Sequence, residues 1–306
     1  KVSPLQLSIE KENIELINFI LLFNNLDINN YNEYSKKDNY CDFDRALVSS
    51  FYYAVLKENV EIVKLLLENK NINHNLINIY DSKFSDAFTA IERVERTALH
   101  FAAEKGNIDI TNLLLKSGYY DINFPRVHFT YRDDHEGWYL DINKTERTIL
   151  HIAVEKENIE MVKLLLNNEM TNVNELQKIL YSEIQLNDGK LFCSTIANDT
   201  DLNSCYKWES FTNNEKYNRT QTALHIAIQN KNIEIVKLLL ANEKIDVNIQ
   251  YSSLSNIHED NKINESIIKK TPLYIAIEND SVELVKLLLD HEKTDVNLSS
   301  YFYMPR

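Results

Sequence analysis

Apolar residues in this chain recur in one pattern, and the pattern repeats. Ile233, Ile235, Val236, Leu238, Leu239 and Leu240 are apolar, with Glu234 and Lys237 interrupting them three residues apart. That spacing describes a short helix with a broad apolar stripe and one polar edge. The run Thr222-Ala-Leu-His225-Ile-Ala227-Ile precedes it, and Asp246-Val-Asn248 follows. The same frame fits 97–123, 148–174 and 271–297, and more loosely 49–75 and 3–29. These are six ungapped copies of 27 residues, and each predicts two helices.

The polar positions of the frame say where those helices start. Thr or Ser opens every copy (Ser3, Ser49, Thr97, Thr148, Thr222, Thr271), where a side-chain oxygen can accept an orphan backbone N–H. Pro4 and Pro272 follow directly, at the first helical position, where a missing N–H costs nothing. A second cap is expected at Asn13, Asn59, Asn107, Asn158, Asn232 and Ser281. An acidic residue stands two places later in each copy, in the first turn, where the helix dipole favours it. Ala54, Ala102, Ala153, Ala227 and Ala276, with Ser8 in the first copy, leave room for close helix approach. Two short helices with this much apolar surface cannot bury it alone, and stacking the copies in a row does so.

Thr97-Ala-Leu-His100-Phe-Ala, Thr148-Ile-Leu-His151-Ile-Ala153 and Thr271-Pro-Leu-Tyr274-Ile-Ala276 resemble the ankyrin motif T-P-L-H-x-A. The trailing Leu-Leu-Leu and Asp-Val-Asn are also similar to the ankyrin consensus, and the matching blocks cover about half the chain. The Asn/Lys/Ile-rich dialect resembles ankyrin proteins of protists with AT-rich genomes. The resemblance implies an all-α fold class. The expected architecture is one right-handed ankyrin-repeat solenoid of stacked helix-turn-helix units over 1–306, with extended hairpin or loop fingers. It gives His100, His151 and His225 a structural role, hydrogen-bonding backbone between fingers, with Gln6, Tyr52 and Tyr274 in that place elsewhere. The family's glycine between the two helices survives only as Gly106, and Glu12, Glu58, Glu157, Lys231 and Asp280 replace it. A left-handed non-glycine residue costs about 1 kcal/mol, so a slightly different turn is expected at those five positions.

Between copies an ordinary ankyrin repeat spends about seven residues on a finger. Here the gaps are 30–48, 76–96, 124–147, 175–221 and 249–270, with 175–221 the long insertion. Both tryptophans, Trp138 and Trp208, lie in these gaps with many tyrosines and phenylalanines, so the fingers are expected to fold back and pack. Leu176, Ile179 and Leu180 have helical spacing and predict a short extra helix over 175–184. The aromatics either pack each finger on its own stem or, as Trp138, Tyr139 and Trp208, stand exposed as partner anchors.

With 46 acidic against 33 basic residues, the chain carries a net charge of −13. Such a surface repels phosphate backbones and anionic lipid, so neither nucleic acid nor a membrane is the expected partner. No apolar run has the ~20 residues of a membrane span. Three cysteines, Cys41, Cys193 and Cys205, make no disulfide framework and fit a reducing compartment, so a cytoplasmic protein is expected, with cytoskeletal association as the variant. Four glycines supply no phosphate loop, and no nucleophile elbow or zincin motif occurs. His128 with Arg132-Asp-Asp134-His135-Glu136 has the donors for a cation, but a solvated charge run is the plainer reading. No cofactor, metal, small-molecule substrate or catalytic activity is expected.

The resemblance places partner binding on the concave face. Carried onto this chain, that face comprises Glu104/Lys105, Glu155/Lys156, Gln229/Asn230 and Glu278/Asn279 at the first-helix ends. Arg96, Arg147, Gln221 and Lys270 stand before each opening Thr. The expected function is a non-catalytic scaffold or adaptor holding a protein partner. The alternatives are a structural component of a cytoskeletal or axonemal assembly, and the targeting arm of a larger enzyme. The apolar first and last second helices add the expectation that further repeats or a partner cover the ends.

Overall fold

A computed structural model of the chain describes residues 2–23, 29–38, 41–86, 88–133, 139–185, 219–259 and 262–303. The helices come in pairs, one pair per block. They are α1 (Pro4–Glu10) and α2 (Ile14–Leu21), α3 (Ser50–Leu56) and α4 (Val60–Leu67), α5 (Ala98–Lys105) and α6 (Ile108–Lys116). After them follow α7 (Ile149–Glu155) and α8 (Ile159–Leu166), α9 (Ala223–Gln229) and α10 (Ile233–Leu240), α11 (Pro272–Glu278) and α12 (Val282–Leu289). First helices stack on first helices along the whole row, and second helices on second helices from α4 onward.

The frame explains the stacking. On the second helices, Ile62/Leu66, Ile110/Leu114, Met161/Leu165, Ile235/Leu239 and Leu284/Leu288 are fully buried one turn apart. In the first block the matching Leu16 is 40% exposed, whereas the next residue, Ile17, is fully buried. One position of the stripe therefore faces the preceding repeat and its neighbour faces the following one. The block-closing asparagines lock adjacent blocks together. Asn123 donates to the Met170 carbonyl at 2.8 Å and accepts from Asn172 N–H at 2.8 Å. Asn174 does the same to Lys244 and Asp246, and Asn248 to Lys293 and Asp295.

The second-helix caps form as the sequence predicts. Asn13, Asn59, Asn107, Asn158 and Asn232 accept the N3 amide at 2.9–3.1 Å, and Ser281 does so at 3.5 Å. The altered turn does not. Glu12, Glu58, Glu157, Lys231 and Asp280 all adopt φ between 51° and 56°, the same left-handed bend as Gly106 at 72°. Two backbone bonds close five of the six bends, as in Glu12 N–H to Ile9 and Asn13 N–H to Ser8, and the Glu58 bend keeps the first of them, Glu58 N–H to Val55. At three sites the strained glutamate also accepts from the capping asparagine of the next repeat: Glu12 from Asn59, Glu58 from Asn107, and Glu157 from Asn232, at 3.1–3.3 Å. A hydrogen bond to a charged group offsets the roughly 1 kcal/mol backbone cost.

The all-α expectation is corrected as well, because the fingers are strands. They are β1 (Tyr31–Asp38), β2 (Cys41–Ser49), β3 (Asn78–Asp86), β4 (Phe88–Arg96), β5 (Arg126–Asp133), β6 (Tyr139–Arg147) and β7 (Gln177–Gln185). Then come β8 (Arg219–Gln221), β9 (Tyr251–Glu259), β10 (Lys262–Lys270) and β11 (Tyr301–Tyr303). All eleven join one antiparallel sheet in sequence order. Successive hairpins are brought side by side by the helical stack, and each outer strand satisfies its free edge on the next finger. The predicted extra helix over 175–184 is strand β7 for the same reason: Tyr139–Glu146 of β6 pairs with it from Gln185 to Lys178. The rest of the long insertion, 186–218, lies outside the described residues.

Candidate partner-binding groove

The sheet register puts one row of residues at the finger bases, facing the first helices. Asn78 opposes Arg96, Arg126 opposes Arg147, Gln177 opposes Gln221, and Tyr251 opposes Lys270. Because Glu95 pairs with Val127, Arg96 stands beside Arg126. Along the other wall run the ends of the first helices. Glu104 accepts from Arg96 at 2.5 Å and lies 2.6 Å from Arg126 Nε. Glu155 accepts from Arg147 at 2.5 Å and from Gln177 at 2.9 Å. Lys270 reaches Glu278 at 2.8 Å, and Arg219 reaches Gln221 and Gln229 at 3.1 and 3.5 Å. Gln221 donates to Gln177 at 2.7 Å.

Many of the residues singled out from the sequence are thus linked along the finger bases or from them to the first-helix ends. Arg96, Glu104, Arg147, Glu155, Gln221, Gln229, Lys270 and Glu278 take part in these links. Lys105, Lys156 and Asn230 are exposed on the helix-end wall. Asn279 instead donates to the Ile228 carbonyl at 2.9 Å and ties two first helices together. Tyr139 opens β6, and its backbone pairs with Gln185. Trp138 and Trp208 lie outside the described residues, as do His135 and Glu136 of the charged loop; His128 pairs with Glu92 at 2.8 Å. Among the described residues no cluster of His, Cys, Asp and Glu could hold a metal ion.

Sequence reasoning missed Arg126 and Gln177. Both stand three residues after a block-closing asparagine, as do Asn32, Asn78, Tyr251 and Ser300, so extending the frame by three positions finds them. Their partners needed the strand register. The alternation of Val127, Phe129 and Tyr131 was the local signal for β5.

Aromatic rings floor the groove under Arg96. Its guanidinium carbon is 4.7 Å from the Tyr80 ring centre, 5.1 Å from Phe101 and 5.8 Å from Tyr52. Lys105 sits over the same Phe101 at 5.6 Å, and Lys57 over Tyr53 at 5.6 Å. Burial raises the Tyr52 hydroxyl far above its ordinary range, so it stays neutral here.

The three histidines fasten first helix to finger base. Thr97 N–H donates to His100 Nδ1 at 3.3 Å, which leaves the ring proton on Nε2, 2.9 Å from the Phe124 carbonyl. His151 repeats this with Thr148 at 3.2 Å and Glu175 at 3.1 Å. His225 accepts from Thr222 at 3.1 Å, and its other ring nitrogen meets the finger base at the Ile249 carbonyl, the frame equivalent of Phe124 and Glu175. Burial pushes all three imidazoles down to about 4, so they are neutral near pH 7 and serve as fixed connectors rather than acid–base groups.

Known proteins agree with this architecture. The family model described as ankyrin repeats matches three overlapping stretches, 5–126, 52–176 and 132–300. A search of the curated proteins finds no match. Among solved structures, the chain is similar to the crystal structure of the ankyrin repeat domain of Bcl-3, described as a unique member of the IkappaB protein family. Identity is 17%, coverage is 97% of this chain and 89% of that one, and the TM-score is 0.52. At that identity the likeness is one of fold.

Proposed function

This chain belongs to the ankyrin-repeat family, whose repeats are of the protein-interaction type, and from that premise we propose that it is a non-catalytic scaffold or adaptor. It holds a protein partner in the groove between finger bases and first-helix ends. The observation that carries this reading is the cross-linked groove itself. Arg96, Arg126 and Arg147 on the finger wall are held by Glu104 and Glu155 of the helix-end wall, while Lys105 and Lys156 remain exposed beside them. A pre-ordered wall loses little side-chain freedom when a partner docks, which is where binding energy is otherwise spent. Among the described residues of the groove the histidines are buried and neutral, so none is placed to activate a nucleophile. The reading places the protein in the cytoplasm, in line with its few cysteines.

The test is affinity capture from cells with the chain and two variants. Lys105→Glu with Lys156→Glu alters the groove, and a Gly/Ser linker in place of 186–218 removes the long insertion. Loss of the same captured proteins with the groove variant, at unchanged helical circular dichroism, is expected. Capture indifferent to both changes would overturn the groove as the docking surface.

A further inference from the structure

The groove over the second to fourth repeats is charged against the sign of the molecule. The chain as a whole is at −13. Yet Arg96, Arg126 and Arg147 sit on the adjacent strands β4, β5 and β6 at one level of the sheet, with Arg126 directly opposite Arg147. Like charges so placed repel each other. Among the described residues two carboxylates, Glu104 and Glu155, pair with these three guanidiniums, and Glu155 also takes Gln177.

The helix-end wall adds one exposed lysine per repeat: Lys57, Lys105 and Lys156. Their chain neighbours Glu58 and Glu157 turn their carboxylates to Asn107 and Asn232 of the following repeats. Lys105 and Arg96 flank the same Phe101 ring, so wall and floor cations belong to one groove. The pattern stops in the fifth repeat, where Gln221 and Asn230 take the corresponding places.

We propose that this groove receives an acidic segment of a partner protein, its carboxylates set between the Arg96–Arg126–Arg147 row and the Lys57–Lys105–Lys156 row. The inference rests on the docking reading above and gives the partner's chemistry. A planar guanidinium row matches carboxylates in two-point contacts. Repeats follow one another at about 10 Å, so a segment of ten residues spans three of them when extended. A nucleic acid strand of any length meets the acidic remainder of the chain.

The experiment uses the full chain and a fluorescein-labelled deca-glutamate peptide, followed by anisotropy at 50 and 200 mM NaCl. Deca-lysine and a ten-nucleotide oligo-dT serve as comparison probes. Deca-glutamate is expected to bind, to weaken with salt, and to lose at least tenfold in affinity on Lys57→Glu, Lys105→Glu and Lys156→Glu together. The same charge change on the second helices (Lys64→Glu, Lys163→Glu and Lys237→Glu) should leave affinity within about twofold. Absence of deca-glutamate binding, or equal loss in both triple variants, overturns the proposal. Tighter binding of oligo-dT with the same sensitivity overturns it in favour of a nucleic acid groove. Circular dichroism melts of both triple variants separate lost binding from lost folding. If deca-glutamate fails while cellular capture still depends on Lys105 and Lys156, only the acidic chemistry falls and the docking reading stands.

Discussion

The third to fifth repeats and the first, second and sixth solve one problem in two ways. Each first helix begins with a Thr or Ser whose own N–H is turned toward the finger base and needs an acceptor. In the middle repeats the acceptor is the imidazole of His100, His151 or His225. In the others it comes from the finger base: Asn32 for Ser3, Asn78 for Ser49 at 2.7 Å, and Ser300 for Thr271 at 3.3 Å. Asn32, Asn78 and Ser300 occupy the frame position held in the middle repeats by Arg126, Gln177 and Tyr251. Using histidine as the acceptor therefore releases the finger base to carry a side chain into the groove. A structural choice inside the repeat thereby decides which repeats can build a binding surface.

The largest break of this comparison is acid. The three imidazoles have folded values of about 4, below the ordinary 6.5 of an unfolded chain. The unfolded state then binds more protons between those values. The stability contribution is full above about pH 6.5 and falls as the pH drops toward 4. By pH 5 the loss is about 2 kcal/mol per histidine, or roughly 6 kcal/mol for three. Urea unfolding at pH 7, 6 and 5 measures it. Replacing all three by Gln should flatten the slope across this range, and an unchanged slope would mean that other groups govern acid unfolding.

A swap within one repeat sharpens the contrast. His151→Gln should cost about 2 kcal/mol, since it strands the Thr148 N–H and the Glu175 carbonyl in a buried site. Gln6, the natural glutamine at this frame position, shows why glutamine is no substitute: its amide atoms are buried with no hydrogen-bond partner among the described residues. Adding Gln177→Asn to His151→Gln converts the fourth repeat to the arrangement of the first, with glutamine at the frame position and asparagine at the finger base, and should recover about half of the loss. If the double variant is no more stable than the single one, the two acceptors are not interchangeable.

Much of this spine was readable from the sequence because it depends on local chemistry. Caps, burial periodicity and the histidine position repeat at fixed spacing, and six copies correct one another. The strands were not readable in the same way. Leu176, Ile179 and Leu180 fit a helix as well as they fit β7, and pairing with β6 decides between them. The groove was half readable: Arg96 and Glu104 lie on adjoining elements of one repeat. Arg126 reaches Glu104 only after the next finger is laid beside the last. What joins residues through the stack or the sheet register is invisible in a single frame.

The smallest test concerns the bend between the two helices, where the repeats again differ in chemistry but share a conformation. Gly106 has φ of 72°, and a Cβ placed there would stand 2.9 Å from the Asn158 side-chain amide. In the first, second and fourth repeats a glutamate with the same bend turns its carboxylate to that following-repeat asparagine, which makes the neighbour a partner instead of an obstacle. Gly106→Ala therefore adds the left-handed strain with no hydrogen bond to offset it, and should destabilise by about 1 kcal/mol. Gly106→Glu supplies the missing acceptor for Asn158 and should cost less than alanine despite its larger size. Paired urea titrations resolve the order of the two. Were alanine the better tolerated, the inter-repeat carboxylate–asparagine link would have no stabilising role, and the five left-handed non-glycine residues would need another explanation.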